Sequence, residues 1–113
     1  MADPATDDVT VTDDPDHERY ALRVGGEYAG AIVYRPARGS VPTRTFLHTG
    51  VEPAFEGRGL GSRLIAAALA DSRTRGIAVL PQCPFVKAYL LRHPDDLDVV
   101  PAVDRTAYGL PPA

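Results

Sequence analysis

Apolar and polar residues alternate from His17 onward: Tyr20, Leu22 and Val24 interleave with Arg19, Ala21 and Arg23, the period of a half-buried strand. Gly25-Gly26 then reads as a hairpin turn into a second strand, EYAGAIVYR, from about Glu27 to Arg35. RPARGSVPT is a loop, and RTFLHTGV over 44–51 makes a third strand that ends at Pro53. The period changes from about Gly59 to Arg75, where Leu60, Leu64, Ala67 or Ala68 and Leu69 recur at spacings of three and four, a helix with Gly76 as its C-terminal cap. IAVLP at 77–81 is a short, nearly continuous apolar strand, a pattern that suggests a central place in a sheet. PFVKAYLLRH reads as a second helix with Pro84 in its first turn, ending before Pro94. The sequence therefore predicts an α/β (α+β) sandwich. Its sheet is mixed and mostly antiparallel, with one right-handed crossover between parallel neighbours and two main helices packed on it.

The two ends carry less pattern. Residues 1–16 hold six Asp and few large apolar side chains, and are expected to be disordered, with VTVT at 9–12 as a short edge strand. From about residue 94 a Pro-bearing tail without a clear period is expected to be loop packing partly on the body, so that 17–113 forms a single domain. The net charge of -3 is uneven, since twelve cationic residues face nine acidic ones beyond residue 16. That mildly basic body suits a small polyanionic ligand and argues against nucleic acid, which calls for a strongly basic patch. The single cysteine, Cys83, excludes an internal disulfide, and the histidines at 17, 48 and 93 lack metal-ligand spacing, so no metal site is expected. No apolar run approaches the length needed to span a bilayer, and the acidic start does not read as a signal peptide, so a cytoplasmic location without membrane contact is expected.

The stretch Phe55-Glu-Gly-Arg-Gly-Leu-Gly-Ser-Arg-Leu64 places three alternate glycines where a strand gives way to a helix. A helix N-terminus offers unpaired amides and a partial positive charge, and glycines let a phosphate reach them. A Walker loop fails for want of Lys and Ser or Thr after Gly61, and a dinucleotide fingerprint fails at Ser62. The alternative is that the glycines serve only a tight turn and close helix packing.

This turn, followed by helix, strand and a Cys-Pro-Phe-Val segment, resembles the GCN5-related N-acetyltransferases, and within them the very small group related to bacterial YjdJ-type proteins. The likeness runs from about Arg19 to Pro94 and rests on HTGV at 48–51, the glycine turn and CPFV-x-x-Y ending in His-Pro. It implies an acetyl-CoA-dependent enzyme that acetylates an unidentified amine, on a protein or peptide among other candidates. By this resemblance Glu56, Gly57, Arg58, Gly59, Leu60, Gly61 and Ser62 would border the pyrophosphate. Val51 would offer a backbone amide to the thioester oxygen, and Tyr89 would return a proton to sulfur. Two positions depart from the family pattern: Glu56 stands where Gln or Arg is usual, and Gly50 where the small group often carries Glu, leaving Glu52 as the nearest carboxylate.

Acetyl transfer also needs a base for the amine, and His48, Glu52, Glu56 and His93 are the candidates. His48 is equally a strand histidine satisfied by its neighbours, and His93 a helix-end cap. Cys83, before Pro84 at a helix N-terminus, is a candidate nucleophile, a contact for the pantetheine arm, or a small buried hydrophobe. Tyr89 is also explained as a core aromatic paired with Phe85, and Arg58 and Arg63 as phosphate contacts or solvated cations. A non-catalytic acyl-CoA-binding module and a cofactor-free interaction domain are the rival functions.

Overall fold

A computed structural model of the chain describes residues 8–112. A single sheet in the order β1-β2-β3-β4-β5 carries all five strands: β1 (Val9–Asp14), β2 (Arg19–Val24), β3 (Glu27–Ala37), β4 (Thr43–Val51) and β5 (Ala78–Pro81). The first four pair antiparallel, and β4 with β5 is the parallel pair. Two helices, α1 (Leu60–Thr74) and α2 (Pro84–Arg92), pack against it. The mixed sheet and its two main helices are as the hydrophobic pattern predicts.

The apolar stripe of α1 buries Leu60, Leu64, Ala68 and Leu69 against Tyr20, Ile32, Phe46 and Val79. Each fully buried leucine contributes about 2 kcal/mol of transfer free energy. The helix ends as expected at Gly76, whose φ of 68° supports a paired cap in which Gly76 donates to the Arg73 carbonyl and Ile77 to that of Ser72.

Three expectations are corrected. Residues 8–16 of the acidic segment are ordered: β1 runs to Asp14, beyond the four residues its alternation suggested, and a turn follows over Pro15–His17; residues 1–7 lie outside the described residues. The reason is that Val9 and Val11 pack on the core and Asp13 supplies the counter-charge for two arginines. β5 stands at the sheet edge instead of its centre, because its apolar residues are covered by helices and not by a further strand. The tail packs on the body through buried Leu97, Val99, Val100 and Leu110, as expected, but it is helical where loop was expected, with 3-10 turns over Pro94–Val99 and Thr106–Tyr108 and one α-helical turn over Ala102–Arg105.

At the amino end of β4 a polar network ties strands to helix. Arg44, 8% exposed, donates to the Tyr20 hydroxyl at 3.0 Å, pairs with Asp13 at 3.0 Å and lies 4.2 Å from the Tyr34 ring centre. Asp13 also accepts from the Tyr34 hydroxyl at 2.6 Å and from Arg75 at 2.7 Å, and Tyr20 donates to Asp71 at 2.8 Å. Burial raises the Asp13 pKa, but the hydrogen bonds from Tyr34, Arg75 and Arg44 outweigh it and hold the carboxyl below its ordinary 3.8. Burial above all pushes the Tyr20 hydroxyl up to about 12, with Asp71 adding to the rise against Ser72 and Arg44.

Candidate cofactor and acceptor site

The parallel ladder between β4 and β5 ends at Phe46 and Pro81. One residue on, the β3–β4 register shifts between Val33 and Tyr34, with Leu47 as the extra residue of a bulge. The last tie is the Cys83 amide on the Phe46 carbonyl, 2.9 Å. Past it β4 continues to Val51 with only β3 beside it, while the other chain turns into α2. The wedge so opened is a cavity of about 360 Å³, within the range of small-molecule sites.

The glycine stretch forms one wall. After a turn over Pro53–Phe55, Gly57 and Gly59 take φ values of 80° and 70°, conformations that side chains with a Cβ resist, and α1 then starts at Leu60. Gly59 is the N-cap, so no side chain caps the first amides of the helix. Glu56, Gly57, Gly59, Leu60, Gly61 and Ser62 all border the cavity. Arg58 does not: its guanidinium lies 5.5 Å from the Phe55 ring centre. None of the ion pairs among the described residues joins it to Glu56, whose carboxylate stays exposed at the cavity.

The opposite wall combines the open end of β4 with α2. Glu52 donates its amide to the Ala29 carbonyl at 2.7 Å, so strand alternation turns the preceding amide, that of Val51, away from β3 toward the space that β5 vacated. Phe85, Ala88 and Arg92 share one face of α2 and line the cavity. Sequence reasoning passed over this face, whose signal is the spacing of 85, 88 and 92.

His48 and Glu52 lie elsewhere, on the uncovered face of the sheet. They line a second hollow of about 240 Å³ with Tyr28 and Val33. Gly50 and Val51 border both hollows. Alternation therefore holds through this segment, with positions 48, 50 and 52 on one face. A Cβ at Gly50 would stand 3.5 Å from His48 Nε2, so the absent side chain leaves this hollow open.

Cys83 and Tyr89 are drawn into the interior. Cys83 is 1% exposed and donates Sγ–H to Thr49 Oγ1 at 3.3 Å; Thr49, not Cys83, reaches the cavity. Tyr89, 7% exposed, stacks on His93 at 4.1 Å and is absent from the cavity wall. Burial, and then the charge of Asp96, push its pKa up against the pull of Arg92, so its hydroxyl keeps its proton through neutral pH. The expected pairing of Tyr89 with Phe85 as core aromatics does not form, since Phe85 is 66% exposed. No group of three or more His, Cys, Asp or Glu among the described residues is arranged to hold a metal, and no described helix is long and apolar enough to cross a membrane.

A family model described as GCN5-related N-acetyl-transferase matches residues 19–99. Among solved structures, a GCN5-like protein from Staphylococcus aureus is similar over 84% of this chain and 90% of its own, with a TM-score of 0.60 and 20% identity, a likeness of fold. Arabidopsis thaliana Naa50, solved with the bisubstrate analogue CoA-Ac-MVNAL, overlaps 56% of this chain and 44% of its own at 18% identity and a TM-score of 0.46. A transcriptional regulator from Bacillus halodurans overlaps 71% of this chain and 58% of its own at 19% identity and the same TM-score. No match is found among curated proteins.

Proposed function

This chain belongs to the GCN5-related N-acetyltransferase family, and from that premise we propose that it takes acetyl-CoA into the wedge between β4 and α2 and passes the acetyl group to an amine arriving on the uncovered face of the sheet. The observation that carries this reading is the meeting of two features in one cavity, an uncapped helix start behind two left-handed glycines and a strand end without its partner, with a second hollow adjoining it at Gly50 and Val51. The first amides of α1 would bind the pyrophosphate, and the extended pantetheine arm would run beside Thr49–Val51 where β5 is missing.

At the junction, the Val51 amide, turned away from β3, would face the thioester oxygen and stabilise the charge that develops there. The amine nitrogen forms its bond to the acetyl carbon, the carbon–sulfur bond breaks, and the thiolate leaves. Glu52 or His48 would take the proton the amine gives up, Glu52 being the carboxylate that lines the same hollow as Gly50. The proton for sulfur is not assigned to Tyr89, whose ring is turned to His93 and Asp96. The acceptor hollow lies on a sheet face where His48, Glu52 and Val33 stand exposed, which favours an amine on a peptide or protein over an enclosed metabolite.

A second reading, a module that binds acyl-CoA without turning it over, is favoured by the carboxylate of Glu56 beside the phosphate site and by the withdrawal of Tyr89. Calorimetric titration with acetyl-CoA, followed by CoA release over a panel of amines and peptides, separates the cases. Saturable binding at one site per chain with CoA release supports the transferase. Binding without release on any acceptor supports the module, and no binding at high ligand concentration sinks both.

A further inference from the structure

The wall of the wedge contains one carboxylate and one guanidinium among its charged side chains, Glu56 from the glycine turn and Arg92 from α2. A phosphate brought to the first amides of α1 meets repulsion from Glu56 in a partly enclosed site, and amide dipoles alone must offset it unless a cation is near. The arginines with the best claim from sequence do not supply one there: neither Arg58, set over the Phe55 ring, nor Arg63 borders the cavity. Arg73 and Arg75, at the far end of α1, are committed to Asp96, Asp98, Asp13 and Asp71. Arg92 is exposed, borders the cavity and enters no ion pair among the described residues.

Resting on the acetyl-CoA reading, we infer that Arg92, and not a residue of the glycine turn, is the cation that makes this site select a phosphate-bearing thioester. Its planar fork suits two phosphate oxygens at once, and its place on α2 lets it approach from the wall opposite the amides. The two halves of the phosphate site then come from different helices, backbone from α1 and charge from α2.

The test is calorimetry of acetyl-CoA binding to the full chain and to Arg92→Lys, Arg92→Gln and Arg92→Glu, with melting temperatures to verify folding. Affinity should follow charge: about threefold weaker for Lys, which keeps the charge but loses the fork, about tenfold weaker for Gln, and about a hundredfold weaker for Glu. If one variant does not fold, the remaining two still order by charge. Equal affinity in all variants, or an equal loss in all, overturns the assignment, because a merely structural side chain would show no dependence on sign. Failure of the unaltered chain to bind acetyl-CoA overturns the proposed function and this inference with it. Binding by the unaltered chain with charge-blind variants overturns this inference alone.

Discussion

At the amino end of β4, Arg44 is held among Asp13, Tyr20 and Tyr34, and α1 finishes nearby in a doubly bonded glycine cap. Beyond Leu47 the same strand has lost β5 and faces a cavity walled by the uncapped start of the same helix. Both regions gather charge and backbone polarity, but they dispose of it differently. In the first, donors and acceptors find one another within the chain, and no buried side-chain nitrogen or oxygen among the described residues lacks a partner. In the second, the first amides of α1 and the amide of Val51 are left to be met from outside. Polarity satisfied internally holds the fold, whereas polarity held rigid and unsatisfied is what a ligand can use.

The largest effect should come from breaking the closed end. Asp13→Ala leaves Arg44 buried without its carboxylate and deprives the Tyr34 hydroxyl of its acceptor, so urea denaturation should show a loss of about 3 kcal/mol. Acetyl-CoA affinity of the folded protein should be unchanged. A loss below about 0.5 kcal/mol would place this network with ordinary surface ion pairs and dissolve the contrast. The same network sets a pH window. Asp13 has a lowered pKa, so its contribution is full above the ordinary 3.8 and is lost as pH falls through the lower folded value. Tyr20 is raised, so its contribution is full below 10.0 and is lost as pH rises through about 12. Stability measured against pH should therefore hold level with respect to these two groups between about 4 and 10, and Asp13→Ala should flatten the acid limb.

The open end should respond in the opposite sense, with function exceeding stability. Gly59→Val places a branched side chain at a φ of 70°, a backbone cost of about 1–2 kcal/mol. Its Cβ would meet nothing within 4 Å, so the penalty is one of dihedral and not of packing. Acetyl-CoA affinity should fall about tenfold as the amides are displaced, the worth of one charge-assisted hydrogen bond. A stability loss with unchanged affinity would mean that the turn serves only the helix junction. Smaller again, Glu56→Gln should tighten acetyl-CoA about threefold in calorimetry by removing like charge beside the phosphate.

The open end was the more legible of the two in the sequence. Local signals mark it: glycines at alternate positions, a periodic helix behind them and a proline opening the next helix all act over a few residues. The closed end depends on partners that only the fold brings together, Asp13 with Arg75 and Tyr20 with Asp71, and so β1 runs past the short edge strand that VTVT suggested and into Asp13 and Asp14, read as disordered. The same limit applied within the wedge. The bulge at Leu47 has no signature in RTFLHTGV, and without it neither the split from β5 nor the separation of His48 and Glu52 from the glycine turn can be anticipated. On α2, helical spacing makes Phe85 and Tyr89 neighbours, yet the core takes Tyr89, stacked on His93, and the cavity takes Phe85, partners that lie beyond the helix's own period.

Cys83 sits where the two regions meet, and the smallest expected effect belongs to it. Its amide makes the last tie between the diverging chains, and its thiol reaches only Thr49 from a position 1% exposed. An acetyl-cysteine route would need that sulfur to meet the thioester carbon and then the amine, and Thr49 stands between it and the cavity. The tie itself is made by backbone and survives substitution. Cys83→Ala should therefore leave steady-state CoA release within about twofold of the unaltered chain, the behaviour of a small buried hydrophobe, with a melting temperature lowered only slightly. Loss of turnover with acetyl-CoA affinity retained, together with an acetyl adduct on the unaltered chain by mass spectrometry, would instead make the sulfur a nucleophile. It would also mean that the wedge opens further in solution than the Cys83–Thr49 contact allows, moving the boundary between the closed and open ends of β4 back to Phe46.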